Sequence, residues 1–193
     1  MFAFKRVTKR IYNMFVPMRD TFFDITPTQF EEYSLQLLQE QFKGANNLII
    51  KHNVKEKVTD GTYQIDGVIT FSQGEFNFKV LVECKHYQSS ISREKIAVLY
   101  DKLRALNANK GIFIASSNFQ KGAIQYATEH NIALVQLIPA DSNQPPFRLN
   151  QIVNHISFYN NGKPYIGVLQ SYDDGLHIKT LQQPNILYSQ TIQ

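Results

Sequence analysis

Three charged residues stand where the surrounding sequence is apolar: Asp66 in "YQIDGVITF", and Glu83 with Lys85 in "FKVLVECKHY". Two carboxylates a few ångströms apart repel, and neither is comfortable among Ile65, Val68 and Val82 without a counter-charge. A hard divalent cation supplies one. Magnesium takes carboxylate and carbonyl oxygens, keeps several waters and bridges to phosphate. The backbone carbonyl of Cys84, between Glu83 and Lys85, offers a further oxygen. Lys85 lies two residues beyond Glu83, so on a strand it projects to the same side. There an ammonium can orient a water or stabilise charge on a phosphate in transition. The set suits phosphodiester hydrolysis with Mg2+ or Mn2+. Against this stands an ordinary reading: Glu-x-Lys as a solvated cross-strand pair, and Asp66-Gly67 as a turn. Yet Val80, Leu81 and Val82 run directly into Glu83, which puts the charge where an interior strand is still continuing.

Whether the charges meet depends on the hairpin between them. Gln73-Gly74 is the turn signal, and pairing Ser72 with Glu75 sets Asp66 opposite Leu81. Residues 81, 83 and 85 share that side, so Asp66, Glu83 and Lys85 converge on one face, with Asp66 diagonal to Glu83 at about 7–8 Å between backbones. Cys84 alternates to the other side, towards core.

The elements that would hold this face follow from periodicity. Thr26 as N-cap, Pro27 at the first helical position and Gln29 completing a capping box predict a helix through Phe30, Tyr33, Leu37 and Gln41 or Phe42, with Gly44 as a stop. Strands are expected at 47–54, 63–71 and 75–85. A helix follows with Ser92 as N-cap and Ile96, Leu99, Leu103 and Leu106 on one stripe. The run 111–117 is a buried strand, 119–131 a helix with Ser117 or Asn118 as its N-cap, and 132–138 another buried strand. Apolar runs separated by helices imply parallel central strands covered on both faces. The expected fold is α/β, with a mixed central sheet, an antiparallel hairpin leading into parallel strands, and helices on both sides. Beyond "PADSNQPPFR" the pattern turns to hairpin and strand, in "QIVNHISFY", "PYIGVLQ" and "LHIKTL". This divides the chain into a basic arm (1–20), a core (21–140) and a β-rich appendage (141–193).

The chain has 193 residues, 43% of them hydrophobic, which is enough for one core. No run of eighteen apolar residues would span a membrane, and no secretory signal is evident. One cysteine excludes an internal disulfide and a multi-cysteine zinc site, and fits a cytoplasmic setting. The net charge of +4 resides entirely in the first twenty residues, leaving the remainder neutral. That arm is a basic amphipathic helix. Packing against its own domain or a sister subunit is the favoured reading over a membrane surface or DNA phosphates. The five histidines show no metal-ligand spacing, and no phosphate-cradling glycine loop is present.

The segments "QIDGVITF", "FKVLVECKHY" and "KGIFIASSNFQKGAIQYATEHNIALVQL" together resemble the Mrr-like branch of the PD-(D/E)xK nucleases, which share the restriction-endonuclease-like fold. The resemblance covers roughly residues 26–138. It puts the family's Asp on Asp66 and its (D/E)xK on Glu83, Cys84 and Lys85; Ile65 replaces the proline before the Asp. The resemblance implies Mg2+-dependent cleavage of nucleic acid, DNA first, in restriction or defence. Asp66 and Glu83 would bind metal, Lys85 would assist the water, and Glu31, favoured over Glu32, would add a ligand or water contact. Ser116, Ser117 and Gln120 follow the "GIFIASS" strand, at the carboxyl ends of parallel strands where substrate is expected. Capping of the next helix is the favoured role for that segment. Cutting both strands of a duplex suggests a homodimer. The alternative is a catalytically silent module on the nuclease fold that binds nucleic acid or recruits a partner.

Overall fold

The structure, a computed structural model, describes residues 25–139, 165–172 and 175–181. Among these residues seven strands form one sheet in sequential order. Strand β1 (Asn46–Val58) pairs antiparallel with β2 (Gly61–Gln73), and β2 pairs antiparallel with β3 (Phe76–Lys85). From β3 the pairing turns parallel, through β4 (Lys110–Ala115) to β5 (Ile132–Pro139). Two further strands, β6 (Tyr165–Tyr172) and β7 (Leu176–Thr180), add antiparallel to β5 and continue the same sheet. The "PYIGVLQ" and "LHIKTL" strands are thus present, whereas the basic arm and the "QIVNHISFY" strand lie outside the described residues.

Among the described residues, three helices cover the sheet. Helix α1 (Pro27–Gln41) starts as its sequence requires. Thr26 Oγ1 accepts from the Gln29 N–H at 3.2 Å, and Gln29 Oε1 accepts from the Thr26 N–H at 2.8 Å, closing the capping box. Its inner side chains Phe30, Leu35 and Leu38, with Phe42 at its C-cap, pack on Ile69, Val80, Val82, Cys84, Ile112 and Ile114. Helices α2 (Arg93–Ala105) and α3 (Lys121–Glu129) take the opposite face, with Ile96, Leu99, Leu103, Ala123 and Ile124 over Leu81, Phe113 and Leu134. Adjacent residues of β3 and β4 thus feed different layers, as buried central strands must.

The hairpin differs from its expected register by two residues. Gln73 pairs with Phe76, so the turn is Gly74-Glu75 rather than Gln73-Gly74. Gly74 has φ 60°, a conformation that costs an L-residue about 1–2 kcal/mol and glycine nothing. The shift brings Phe71 opposite Phe78, where their rings stack at 5.0 Å between centroids. An even shift keeps every side chain on its expected face. It replaces the diagonal relation of Asp66 and Glu83 with a directly opposed one, because the register runs through Val68↔Leu81 and Gly67↔Val82.

Candidate active site

Gly67↔Val82 is the last pair of the β2–β3 ladder, and Asp66 and Glu83 are the first residues beyond it. Where a ladder hydrogen bond would otherwise continue, the Cys84 N–H donates to Asp66 Oδ2 at 2.8 Å. The aspartate therefore occupies the open end of the hairpin and is held by the backbone of the opposite strand. On the far side, β3 still pairs with β4, through Glu83↔Phe113 and Lys85↔Ala115. Glu83 is rigidly based on an interior strand, and it is buried.

Lys85 gathers the group. Its Nζ contacts Glu83 Oε1, lies 3.6 Å from Asp66 Oδ2 and donates to the Cys84 carbonyl at 3.2 Å. The three oxygens singled out as cation ligands thus surround one ammonium. Burial, then the charge of Glu83, pushes the Asp66 carboxyl above the ordinary range; the Cys84 N–H and Lys85 oppose this only partly. Burial alone would lower the Lys85 ammonium, but the hydrogen bond and charge of Glu83, with the charge of Asp66, outweigh it and raise its pKa. Lys85 is held as a cation. The Cys84 thiol is pushed well above its usual value by burial and by Asp66, so it packs as a small apolar group.

Two carboxylates and a main-chain carbonyl are hard oxygen donors, the kind Mg2+ and Mn2+ accept while keeping water in their other positions. Among the described residues no cluster of three or more His, Cys, Asp or Glu side chains forms a self-sufficient cage. The set at the hairpin fits an ion that binds through one or two carboxylates and completes its shell with water and phosphate.

Glu31 approaches from α1, where its charge adds to the upward shift of Asp66. Its Oε2 meets His52 Nε2 of β1 at 2.7 Å. This contact was not foreseen, since His52 has no signal in sequence beyond lying near the site. His86 stacks on Phe30, with ring centroids 4.9 Å apart. Ser116 Oγ donates to the Tyr87 carbonyl at 2.8 Å and Ser117 Oγ to the Ser89 carbonyl at 2.7 Å, so both hydroxyls hold the segment that follows β3. Neither Ser117 nor Asn118 caps α3, because Ser117 is committed to that segment and the N-cap is the exposed Gln120.

The residue that sequence reasoning missed is Lys102 of α2. Its Nζ donates to Glu83 Oε2 at 2.8 Å and to the Gln64 carbonyl at 2.9 Å. A signal was present: Lys102 follows Leu99 by three positions and adjoins Leu103, which places a lysine at the margin of the inward stripe.

The family model Mrr_cat, described as restriction endonuclease, matches residues 23–139, more than half the chain. The type IV methyl-directed restriction enzyme EcoKMrr of Escherichia coli (strain K12) is 27% identical over 103 residues, covering 53% of this chain and 32% of that protein. The chain spans about a third of that relative's length. Among solved structures, the MspJI restriction endonuclease in complex with a 27-mer oligonucleotide is similar at TM-score 0.42 and 21% identity, over 59% of this chain and 26% of that one. Protein AF1548 is similar at TM-score 0.45 and 18% identity, over 55% of each chain.

Proposed function

Because this chain belongs to the restriction endonuclease family described by Mrr_cat, we propose that it is a metal-dependent endonuclease that hydrolyses phosphodiester bonds of DNA in a restriction or defence role. The observation that carries the reading is the convergence of Asp66, Glu83 and the Cys84 carbonyl on Lys85 at the open end of the hairpin. EcoKMrr, a methyl-directed restriction enzyme, supports DNA as the substrate. The catalytic unit falls within residues 21–140, and its setting is the cytoplasm.

In the reaction a water oxygen bonds to phosphorus, the bond from phosphorus to one ester oxygen breaks, the water gives up a proton and the departing oxygen gains one. Asp66 and Glu83, with the Cys84 carbonyl, would hold Mg2+ or Mn2+, which when bound neutralises the carboxylates and polarises the phosphate. Lys85, already held as a cation by its two carboxylate neighbours, donates to the phosphate oxygens or to the attacking water as charge develops. Glu31, fixed by His52, orients water at the margin of the group.

Cleavage of supercoiled plasmid and of single-stranded DNA with Mg2+ or Mn2+ tests this, with wild type beside Asp66→Ala and Lys85→Ala. Lys85→Ala should slow cleavage roughly a hundred- to a thousandfold, the usual cost of losing one charge-stabilising donor. Asp66→Ala should abolish cleavage and weaken Mn2+ binding. Equal behaviour of wild type and both variants, at any level of cleavage, overturns the reading and leaves the catalytically silent module. A homodimer would present two sites to a duplex; a monomeric mass in light scattering would refute that part alone.

A further inference from the structure

We infer that Lys102 is a positioning residue of this site, which fixes the orientation of the Glu83 carboxylate and limits how strongly the site attracts a divalent cation. The inference rests on the proposed metal-dependent reading.

The geometry is specific. Glu83 has two oxygens with separate lysine partners: Oε1 meets Lys85 and Oε2 meets Lys102 at 2.8 Å. The two lysines differ in what else holds them. Lys85 turns to Asp66 and to its neighbour's carbonyl, so its partners are the oxygens a cation would claim. Lys102 has its second bond to the Gln64 carbonyl at 2.9 Å, outside that set. A cation that displaces Lys85 from Glu83 leaves the anchorage of Lys102 intact. Its base is firm as well, because α2 is fastened to the sheet by Ile96, Leu99 and Leu103. The Lys102 side chain is only 15% exposed.

Lys102 also joins the two strands where their own ladder has ended. The last backbone pair is Gly67↔Val82. Beyond it, one ammonium links the Gln64 carbonyl on β2 to the Glu83 side chain on β3. Without that link Glu83 loses a restraint on rotation about its carboxylate, and the site loses the positive charge that stands 2.8 Å from Glu83 Oε2. The charges near the hairpin end are Glu31, Asp66 and Glu83 against Lys85 and Lys102, with His52 beside Glu31. Removing Lys102 moves this balance further negative, which strengthens attraction for a divalent ion while loosening the group that must be held in place.

These two consequences oppose each other, and that makes the inference testable. Full-length wild type, Lys102→Met and Lys102→Gln are titrated with Mn2+ by calorimetry and compared in plasmid cleavage, with thermal unfolding recorded for each. The expected result is Mn2+ binding about tenfold tighter in both variants, from one lost like charge in a partly screened site, together with cleavage at least tenfold slower. A role confined to stability would lower the melting temperature and leave the affinity within twofold of wild type, or weaken it; either result overturns the inference, as does undiminished cleavage. Should Lys102→Met fail to fold, Lys102→Gln, which keeps a donor for the Gln64 carbonyl, decides on the same criteria. Wild type that binds no Mn2+ and cuts nothing overturns the metal-dependent reading itself, and this inference with it.

Discussion

The Asp66 carboxylate is held in a place that does not suit its charge. Burial and Glu83 raise its pKa more than Lys85 and the Cys84 N–H lower it. A carboxyl whose folded pKa lies above its unfolded value contributes stability at acid pH that is lost as pH rises through the folded value. At neutral pH ionised Asp66 therefore destabilises the fold. Asp66→Asn keeps an oxygen for the Cys84 N–H and removes the charge, so it should abolish cleavage and at the same time stabilise the protein. In urea unfolding at pH 7 the variant is expected above wild type. The gap should close as pH falls below about 3.9, the unperturbed aspartate value, where wild type is also uncharged at this position. For a chain of this length each kcal/mol gained raises the melting temperature by about 2–4 °C. A variant less stable than wild type at pH 7 would mean that attraction to Lys85 dominates instead. Asp66, Glu83 and Lys85 were legible in the sequence because strand alternation forces 83 and 85 to one side and Val80 to Val82 mark the strand as interior. Lys102 was not, since its partner is reached only by packing a helix onto the hairpin, and its spacing from Leu99 fits an ordinary solvated lysine equally well.

At the scale of elements, β1 and β2 are irregular near the start of β1, between Asn46 and Ile49, and again at the candidate carboxylate. Ile50 and Ile69 face the α1 layer, whereas Val54 and Ile65, an even number of residues away, face α2 and α3. The recorded pairs pass from His52↔Gly67 to Val54↔Ile65, skipping Asn53 and Asp66, and Asn53 has φ 52°. Asparagine tolerates this left-handed conformation better than most residues, and its Oδ1 accepts from Gln64 Nε2 at 3.1 Å. The irregularity turns β2 just where Asp66 leaves the ladder. Asn53→Ala should cost about 1–2 kcal/mol of stability from the backbone term alone, whereas Asn53→Gly should cost a few tenths at most. Urea midpoints for the pair check this, and similar losses in both would assign the effect to the lost Gln64 bond. Nothing in "KHNVKEK" announces the break, because one asparagine inside a strand pattern carries no period. The hairpin register was missed for a related reason. Gln73-Gly74 and Gly74-Glu75 are both acceptable two-residue turns, and the choice rests on Phe71 meeting Phe78 across the strands. The start of α1 was better marked: Thr26, Pro27 and Gln29 specify it within four residues.

At the scale of the whole molecule, the difficulty for the proposed action on DNA is the chain's charge. The net +4 lies wholly in residues 1–20, and the rest of the chain is neutral. Attraction for a polyanion must then come from that arm or from an uneven distribution over the body. The sheet supplies one such asymmetry. Strand β1 begins the strand order, and Lys51, Lys55 and Lys57 are exposed along it, Lys55 and Lys57 on one side of the sheet and Lys51, which precedes the break at Asn53, on the other. Glu56, their acidic neighbour, is engaged with Lys79 at 2.6 Å. Lys51 lies opposite Val68, two residues along β2 from Asp66, so it stands beside the candidate site. Lysines on a long edge strand also discourage pairing with other chains, and that alone would justify them. The two roles separate in salt. Each duplex phosphate neutralised by a protein cation steepens the fall of log K against log salt by about 0.9. Binding of duplex DNA is measured in the Asp66→Asn background, where no cleavage intervenes, with and without the combined change Lys51→Gln, Lys55→Gln and Lys57→Gln. If one side of this edge lies along the DNA backbone, the slope flattens by roughly 1–2 and affinity falls to a similar extent for every sequence tested. An unchanged slope would leave these lysines as guards of the sheet edge, and would assign the attraction for DNA to the first twenty residues.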